Sequence, residues 1–204
     1  MIAIIDYGVG NLFNVIKAFE YLGMKTVITK DPLEVVKASH VILPGVGAFD
    51  DAASCLRKTG MDQAVYDSVA AGIPLLGICL GMQLFFESSC EGGKEQGLSL
   101  FPGRLEHFEI ELKVPHMGWN RLNLTKNCAL FNNLPENPYA YFVHSYYLPV
   151  DKEITVATTD YGLPFTAVVQ KGNIYGTQFH PEKSSIAGLK MLENFASLGG
   201  IYAN

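Results

Sequence analysis

The stretch Ile73-Pro74-Leu75-Leu76-Gly77-Ile78-Cys79-Leu80-Gly81-Met82-Gln83 decides how the chain folds. Ile73–Ile78 is a continuous apolar run of strand length, the pattern of a strand covered on both faces within a parallel sheet. Met82–Glu87 reads as a helix, so a sharp strand-to-helix turn falls at Gly77-Ile78-Cys79-Leu80-Gly81. A thiol between two glycines at such a turn has the layout of the nucleophile elbow written G-x-S-x-G, with sulfur in place of oxygen. The glycines are expected to relieve a strained turn and to keep the sulfur open to substrate. A helix N-terminus beside the sulfur favours its thiolate. The motif alone also fits an ordinary buried cysteine that packs as a small hydrophobe.

Outward from this stretch the first half alternates strand, turn and helix. Met1–Asp6 predicts a strand, followed by a turn and a helix of period 3.6 through Leu12, Val15, Ile16, Phe19 and Leu22, with Asn11 as its cap and Gly23 as its end. Lys25–Thr29 is a second strand, Asp31-Pro32 opens a short helix through Ala38, and His40–Leu43 is a third strand. Two helical stretches occupy Ala48–Ala71. From Gly103 to Gln178 the pattern changes to short runs rich in Val, Ile, Thr, Tyr and Phe, with a hairpin of Phe165–Gln170 and Asn173–Phe179 turning at Lys171-Gly172. Ser184–Leu198 fits a terminal helix. The expectation is an α/β fold: a central, mostly parallel sheet flanked by helices, with antiparallel strands in the second half, residues 1–204 forming one domain.

Composition narrows the function. Across 204 residues, 15 Lys and Arg against 20 Asp and Glu leave a net charge of −5, without the basic excess of a nucleic-acid binder. No Lys/Arg cluster marks an anionic membrane surface. The longest uncharged apolar stretch, Val69 to Met82, is too short and too broken by glycine and proline to span a bilayer. The N-terminus lacks the positive region of a secretory signal, and Cys55, Cys79, Cys90 and Cys128 form no CxxC pair, so a cytoplasmic protein with free thiols is expected.

A thiol nucleophile needs a base, and the base an orienting group. Of His40, His107, His116, His144 and His180, only His180 has a carboxylate at useful spacing, in His180-Pro181-Glu182. A residue before proline is held extended, and residues i and i+2 of an extended segment face one side, so Glu182 can reach the His180 ring. The alternative is a surface turn at a strand end. An oxyanion hole needs backbone N–H groups; Leu80 supplies one, and the loop Pro44-Gly45-Val46-Gly47 after the third strand is placed to supply another. Neither Gly8-Val9-Gly10 nor Gly45-Val46-Gly47 completes a dinucleotide fingerprint, no phosphate-binding P-loop is present, and no cluster has metal-ligand spacing, so neither metal nor cofactor is expected.

Gly77-Ile78-Cys79-Leu80-Gly81-Met82-Gln83 together with His180-Pro181-Glu182 resembles the class I, triad-type glutamine amidotransferases. Further matching stretches are Asp6–Asn11, Leu43–Phe49, Pro115–Asn120 and Phe142–Tyr146. The resemblance implies a flavodoxin-like amidotransferase fold and hydrolysis of glutamine to glutamate and ammonia. It assigns catalysis to Cys79, His180 and Glu182. The oxyanion hole is assigned to Leu80, Val46 and Gly47, and the glutamine pocket to Gly45, Gln83, Glu91, Ser145 and Tyr146. For Gln83 and Glu91 a solvated helix face and loop is the plainer reading. The branch resembled works in histidine biosynthesis, where a (β/α)8-barrel cyclase forms a heterodimer with the glutaminase and receives its ammonia. Asn11, Trp119, Asn120, Tyr141 and Lys183 match positions near that interface, although a lone tryptophan is as readily a core residue. The rivals are a glutaminase feeding pyridoxal phosphate, aminobenzoate or nucleotide synthesis, and a non-catalytic flavodoxin-like binding module with a structural Cys79.

Overall fold

A computed structural model describes residues 1–199. Its first half runs β1 (Ile2–Ile5), α1 (Leu12–Tyr21), β2 (Thr26–Thr29), α2 (Pro32–Val35), β3 (His40–Gly45), α3 (Phe49–Lys58), α4 (Met61–Ala70), β4 (Leu75–Cys79) and α5 (Leu80–Gln83). Short strands β5 (Ser88–Ser89), β6 (Arg104–His107), β7 (His116–Arg121) and β8 (Asn123–Leu124) follow. Then come β9 (Tyr139–His144), β10 (Tyr146–Tyr147), β11 (Thr155–Asp160), β12 (Pro164–Lys171), β13 (Ile174–Thr177) and α6 (Ser185–Ala196).

The main sheet has the order β2-β1-β3-β4-β13-β12-β11-β8. Strands β2, β1, β3, β4 and β13 are parallel, and β12, β11 and β8 continue the sheet antiparallel. The apolar runs explain why these strands lie inside. Ala3, Ile5, Val41, Leu43 and Leu75 belong to the core under α2, α3 and α4, whereas Ile2, Ile4, Ile42, Leu76 and Ile78 belong to the opposite core under α1 and α6. A strand buried on both faces needs apolar residues at consecutive positions, which is what these strands carry.

Several boundaries differ from the sequence reading. The helix after the elbow begins at Leu80, directly behind Cys79, and ends at Gln83, four residues before the expected end. Asp31 does cap α2 through the Leu33 N–H, but α2 stops at Val35, short of the expected Ala38. Asn11 precedes α1 without a side-chain capping bond. The Phe165–Phe179 hairpin forms as β12 and β13, in register from Lys171↔Ile174 outward.

Two smaller pieces sit beside the C-terminal ends of the parallel strands. Strands β7 and β9 form an antiparallel ribbon in which His116 faces His144 and Trp119 faces Tyr141. Strands β10, β6 and β5 form a short sheet continuing from it.

Candidate active site

Cys79 is the last residue of β4 and has φ +55°, ψ −113°, a backbone conformation that non-glycine residues rarely hold. The flanking glycines permit it for reasons of packing. A Cβ on Gly81 would lie 1.8 Å from the Leu43 carbonyl oxygen, and one on Gly77 would lie 2.6 Å from the Phe85 ring and 2.7 Å from Met82 Cα. The glycines therefore let α5 fold tightly back on β3 and β4. The close contacts thus account for the glycines' part in the turn.

His180 arrives at Cys79 because β13 pairs in parallel with β4, Thr177 lying opposite Ile78. Three residues on, His180 is extended as the residue before Pro181, while Glu182 lies in a 3-10 turn, Pro181–Lys183. That turn, and not a continued strand, brings the carboxylate round: His180 Nδ1 to Glu182 Oε1 is 2.8 Å, with the side chains 5% and 1% exposed. The segment is fastened to β9, since the His180 N–H donates to the Tyr141 carbonyl at 3.0 Å. The Ser184 hydroxyl donates to the His180 carbonyl at 2.6 Å and accepts the Tyr141 N–H at 2.9 Å.

Burial acts to lower the His180 pKa, but it is overcome by hydrogen bonds and charge from Cys79 and then Glu182, which together raise it to about 10. Glu182 Oε2 is buried and accepts no hydrogen bond, so the imidazolium is the carboxylate's principal partner. The thiol also lies 3.9 Å from the Val143 carbonyl. Cys79, His180 and Glu182 are thus assembled in one buried cluster.

That cluster opens into a pocket of about 230 Å³ lined by Val46, Gly47, Cys79, Leu80, Gln83, Glu91, Pro115, Val143–Tyr146 and His180. Gly45 stands opposite Cys79 in the β3–β4 register, so the loop Gly45–Gly47 leaves the sheet beside the sulfur. Gly47 holds φ +99°, where a side chain would be strained. Beneath the loop the buried Tyr7 hydroxyl donates to the Pro44 carbonyl at 3.0 Å, a brace that no sequence pattern announced.

Gln83 and Glu91 reach the pocket but carry structural bonds as well. Gln83 is buried, not on a solvated face, and its amide donates to the Tyr146 carbonyl at 3.1 Å and to Gln178 Oε1 at 3.0 Å. Glu91 Oε2 accepts the Phe49 N–H at 2.9 Å, capping α3 in place of Ala48, which has no side chain for the task. Ser145 accepts the Phe108 N–H at 3.1 Å through its carbonyl.

Of the residues expected at an interface, Lys183 is exposed and Trp119 is 54% exposed, so Trp119 is not a core residue. Tyr141 is partly buried and meets the Trp119 ring edge-on at 6.1 Å. Asn11 lines a small void against His180 and Glu182. Asn120 turns inward instead: its amide donates to the Asp160 carbonyl at 2.8 Å and reaches His116 Nε2 at 3.3 Å. An alternating strand puts residue 120 on the face opposite Trp119.

A larger open groove of about 930 Å³, lined by Lys126, Cys128, Gln170 and Tyr175 among others, lies near the opposite end of β4, where Tyr175 pairs with Leu76. Burial pushes the Cys128 thiol up to about 11, away from the thiolate form. No disulfide forms among the described residues.

The family model for class-I glutamine amidotransferases matches residues 3–197, and the chain belongs to that family. Its curated relatives include the imidazole glycerol phosphate synthase subunit HisH of Moorella thermoacetica, 50% identical over 97% of this chain and 94% of that one. The subunit of the same name from Archaeoglobus fulgidus is 47% identical over 97% and 98%. Among solved structures, PurLQS from Thermotoga maritima superposes with a TM-score of 0.73 at 19% identity, covering 95% of this chain and 96% of that one, a likeness of fold.

Proposed function

We propose that the chain, as one glutamine amidotransferase domain, is the glutaminase subunit of an imidazole glycerol phosphate synthase. The supporting observation is Cys79 held at positive φ on β4 with the His180–Glu182 pair delivered by neighbouring β13. Likeness at 45–50% identity to relatives of that name favours this branch over other amidotransferases.

In this reading the Cys79 thiolate attacks the side-chain amide carbon of glutamine. The tetrahedral oxyanion is held by the Leu80 N–H and an N–H of the Val46–Gly47 loop. The His180 imidazolium gives its proton to the departing ammonia, leaving a γ-glutamyl thioester. Neutral His180 then takes a proton from water, hydroxide adds to the thioester, and glutamate leaves as the thiolate is restored. Glu182 holds the ring in orientation and stabilises its charged form. The pocket wall at Gln83, Glu91, Ser145 and Tyr146 receives the amino-acid end of glutamine.

The ammonia passes to a (β/α)8-barrel cyclase in a cytoplasmic heterodimer, where it is built into imidazole glycerol phosphate. The decisive measurement is ammonia release from glutamine by the chain together with that cyclase. Wild type is expected to turn over, and Cys79→Ala to lose activity by roughly 10⁴-fold or more while still binding the cyclase. Residual turnover by Cys79→Ala near the wild-type rate would remove the triad from the mechanism.

A further inference from the structure

Two buried histidines outside the triad lie between the β7–β9 ribbon and the substrate pocket. His116 and His144 are 3% and 6% exposed, and among the described residues neither forms an ion pair with a carboxylate, as His180 does. Their hydrogen bonds form one chain. Asn120 Nδ2 reaches His116 Nε2 at 3.3 Å, His116 Nδ1 reaches His144 Nε2 at 3.1 Å, and His144 Nδ1 reaches the Tyr146 carbonyl at 2.8 Å.

The direction of every bond in this chain is determined, and from both ends. At the inner end a carbonyl only accepts, so His144 Nδ1 carries a hydrogen. At the outer end the Asn120 amide has one possible orientation. Its Oδ1 accepts the Arg121 N–H at 2.8 Å and its Nδ2 donates to the Asp160 carbonyl, so the group facing His116 is a donor. His116 Nε2 is then the acceptor and His116 Nδ1 the donor, which makes His144 Nε2 an acceptor. Both ends of the chain thus require the same tautomer of each ring. A proton added to His144 Nε2 or His116 Nε2 would set two donors face to face, so both rings stay neutral.

The surroundings hold this state. His116 is stacked between Phe142 at 4.9 Å and Tyr161 at 4.1 Å, and both rings lie against Phe108 and Phe165. Burial lowers His116 to about 4; burial, opposed by the Tyr146 carbonyl and assisted by His116 and His180, lowers His144 to about 3. At the inner end the Tyr146 carbonyl accepts from two groups, His144 Nδ1 and Gln83 Nε2, so both its lone pairs are engaged and its peptide plane is fixed.

Resting on the glutaminase reading above, we propose that His144, with His116 behind it, is a positioning residue for glutamine. It locks the Tyr146 carbonyl and so sets the shape of the Val143–Tyr146 pocket wall through a one-directional, neutral hydrogen-bond relay anchored at Asn120. The wall receives the amino-acid end of the substrate, remote from the reacting amide, so its contacts are the same in ground and transition states. Disturbing it should therefore raise KM and leave kcat.

The test is steady-state glutamine hydrolysis by the complex with its cyclase. His144→Phe removes the donor to Tyr146, and KM is expected to rise about tenfold with kcat within about threefold. Asparagine places an N–H near the position of Nδ1, so His144→Asn should recover most of that loss. His116→Phe, which touches no substrate, removes the donor to His144 Nε2 that holds the ring in orientation toward the Tyr146 carbonyl, and should raise KM in the same direction. In a His144→Asn background the same change should cost little, because His116 acts only through the histidine ring. A lowered melting temperature with unchanged KM, or an equal His116→Phe effect in both backgrounds, overturns the proposal. Imidazole ¹⁵N spectra of wild type test the relay independently of activity: neutral rings protonated at Nδ1 are expected, and an Nε2-protonated ring or an imidazolium at neutral pH rules it out. Wild type inactive toward glutamine, with those spectra as expected, would instead sink the glutaminase reading and the substrate role with it, leaving the relay as structure.

Discussion

Among the described residues the Glu182 carboxylate is the single buried charge within hydrogen-bond distance of His180 Nδ1, so its removal separates geometry from electrostatics. Glu182→Gln keeps size and one acceptor but loses the charge that stabilises the imidazolium. The His180 pKa should fall, followed by NMR titration, and kcat should fall by roughly 10²–10⁴ with little change in KM. Unaltered kcat would reduce Glu182 to a packing role. The His180–Glu182 pair was legible in sequence because two residues apart is a local relation, and proline constrains it further. His116 and His144 were not, since they are 28 positions apart and meet only when β7 pairs with β9. Glu91 was half legible: its place near the pocket followed from the family motif, but its bond to the Phe49 N–H depends on a loop closing over 42 residues. The two relay histidines also give a pH dependence with a definite sign. Their folded pKa values lie below the ordinary value near 6.5, so the unfolded chain binds more protons, and stability present above pH 6.5 is lost as pH falls toward 4. Urea midpoints at pH 7.5 and pH 5 should show the loss, and His116→Phe should shrink the difference.

The turn joining β4 to α5 is the element on which the site depends, and its two glycines are required by close packing and not by a left-handed backbone. Gly81→Ala drives a methyl into the backbone carbonyl of Leu43, which cannot swing away as a side chain would. The expected cost is more than about 4 kcal/mol, or failure to fold. Gly172 makes the contrast: it has φ +59° in the β12–β13 hairpin with open space around it, so Gly172→Ala should cost only about 1–2 kcal/mol of backbone strain. Denaturant midpoints of the two variants distinguish a steric role from a conformational one, and equal costs would show that the elbow relaxes. The parallel strands were readable because runs apolar at consecutive positions fit only a sheet covered twice. The ribbon β7–β9 and the sheet β5–β6–β10 were not readable in detail. Their strands are half exposed and as short as two residues, so pairing, rather than local pattern, defines them.

At the scale of the molecule, large apolar side chains are exposed on α1, α6, β9 and its partner β7, the elements grouped around the Pro181–Lys183 turn. Phe13 on α1, Met117 and Trp119 on β7, Tyr139 on β9 and Ile186 on α6 are each more than half exposed, at 66%, 64%, 54%, 51% and 74%. The turn Pro181–Lys183, which carries Glu182, packs against α1, α6 and β9, so a partner seated on this face would lie next to the triad's own backbone. Ammonia set free in open water is protonated and lost, so a glutaminase gains from acting only beneath a receiving subunit. The loop Gly45–Gly47 fits such control: it leaves the sheet beside Cys79, and its middle residue Val46 is 38% exposed. The isolated chain should therefore hydrolyse glutamine slowly, and addition of the cyclase with its ligand should raise the rate by at least about tenfold, a barrier change near 1.4 kcal/mol. On the proposed interface, Trp119→Ala should weaken cyclase binding by about tenfold or more without changing the melting temperature of the subunit. Titration calorimetry gives the first quantity and thermal denaturation the second. Equal glutamine turnover with and without the cyclase would mean that the face binds no activating partner and that the loop is already set for catalysis.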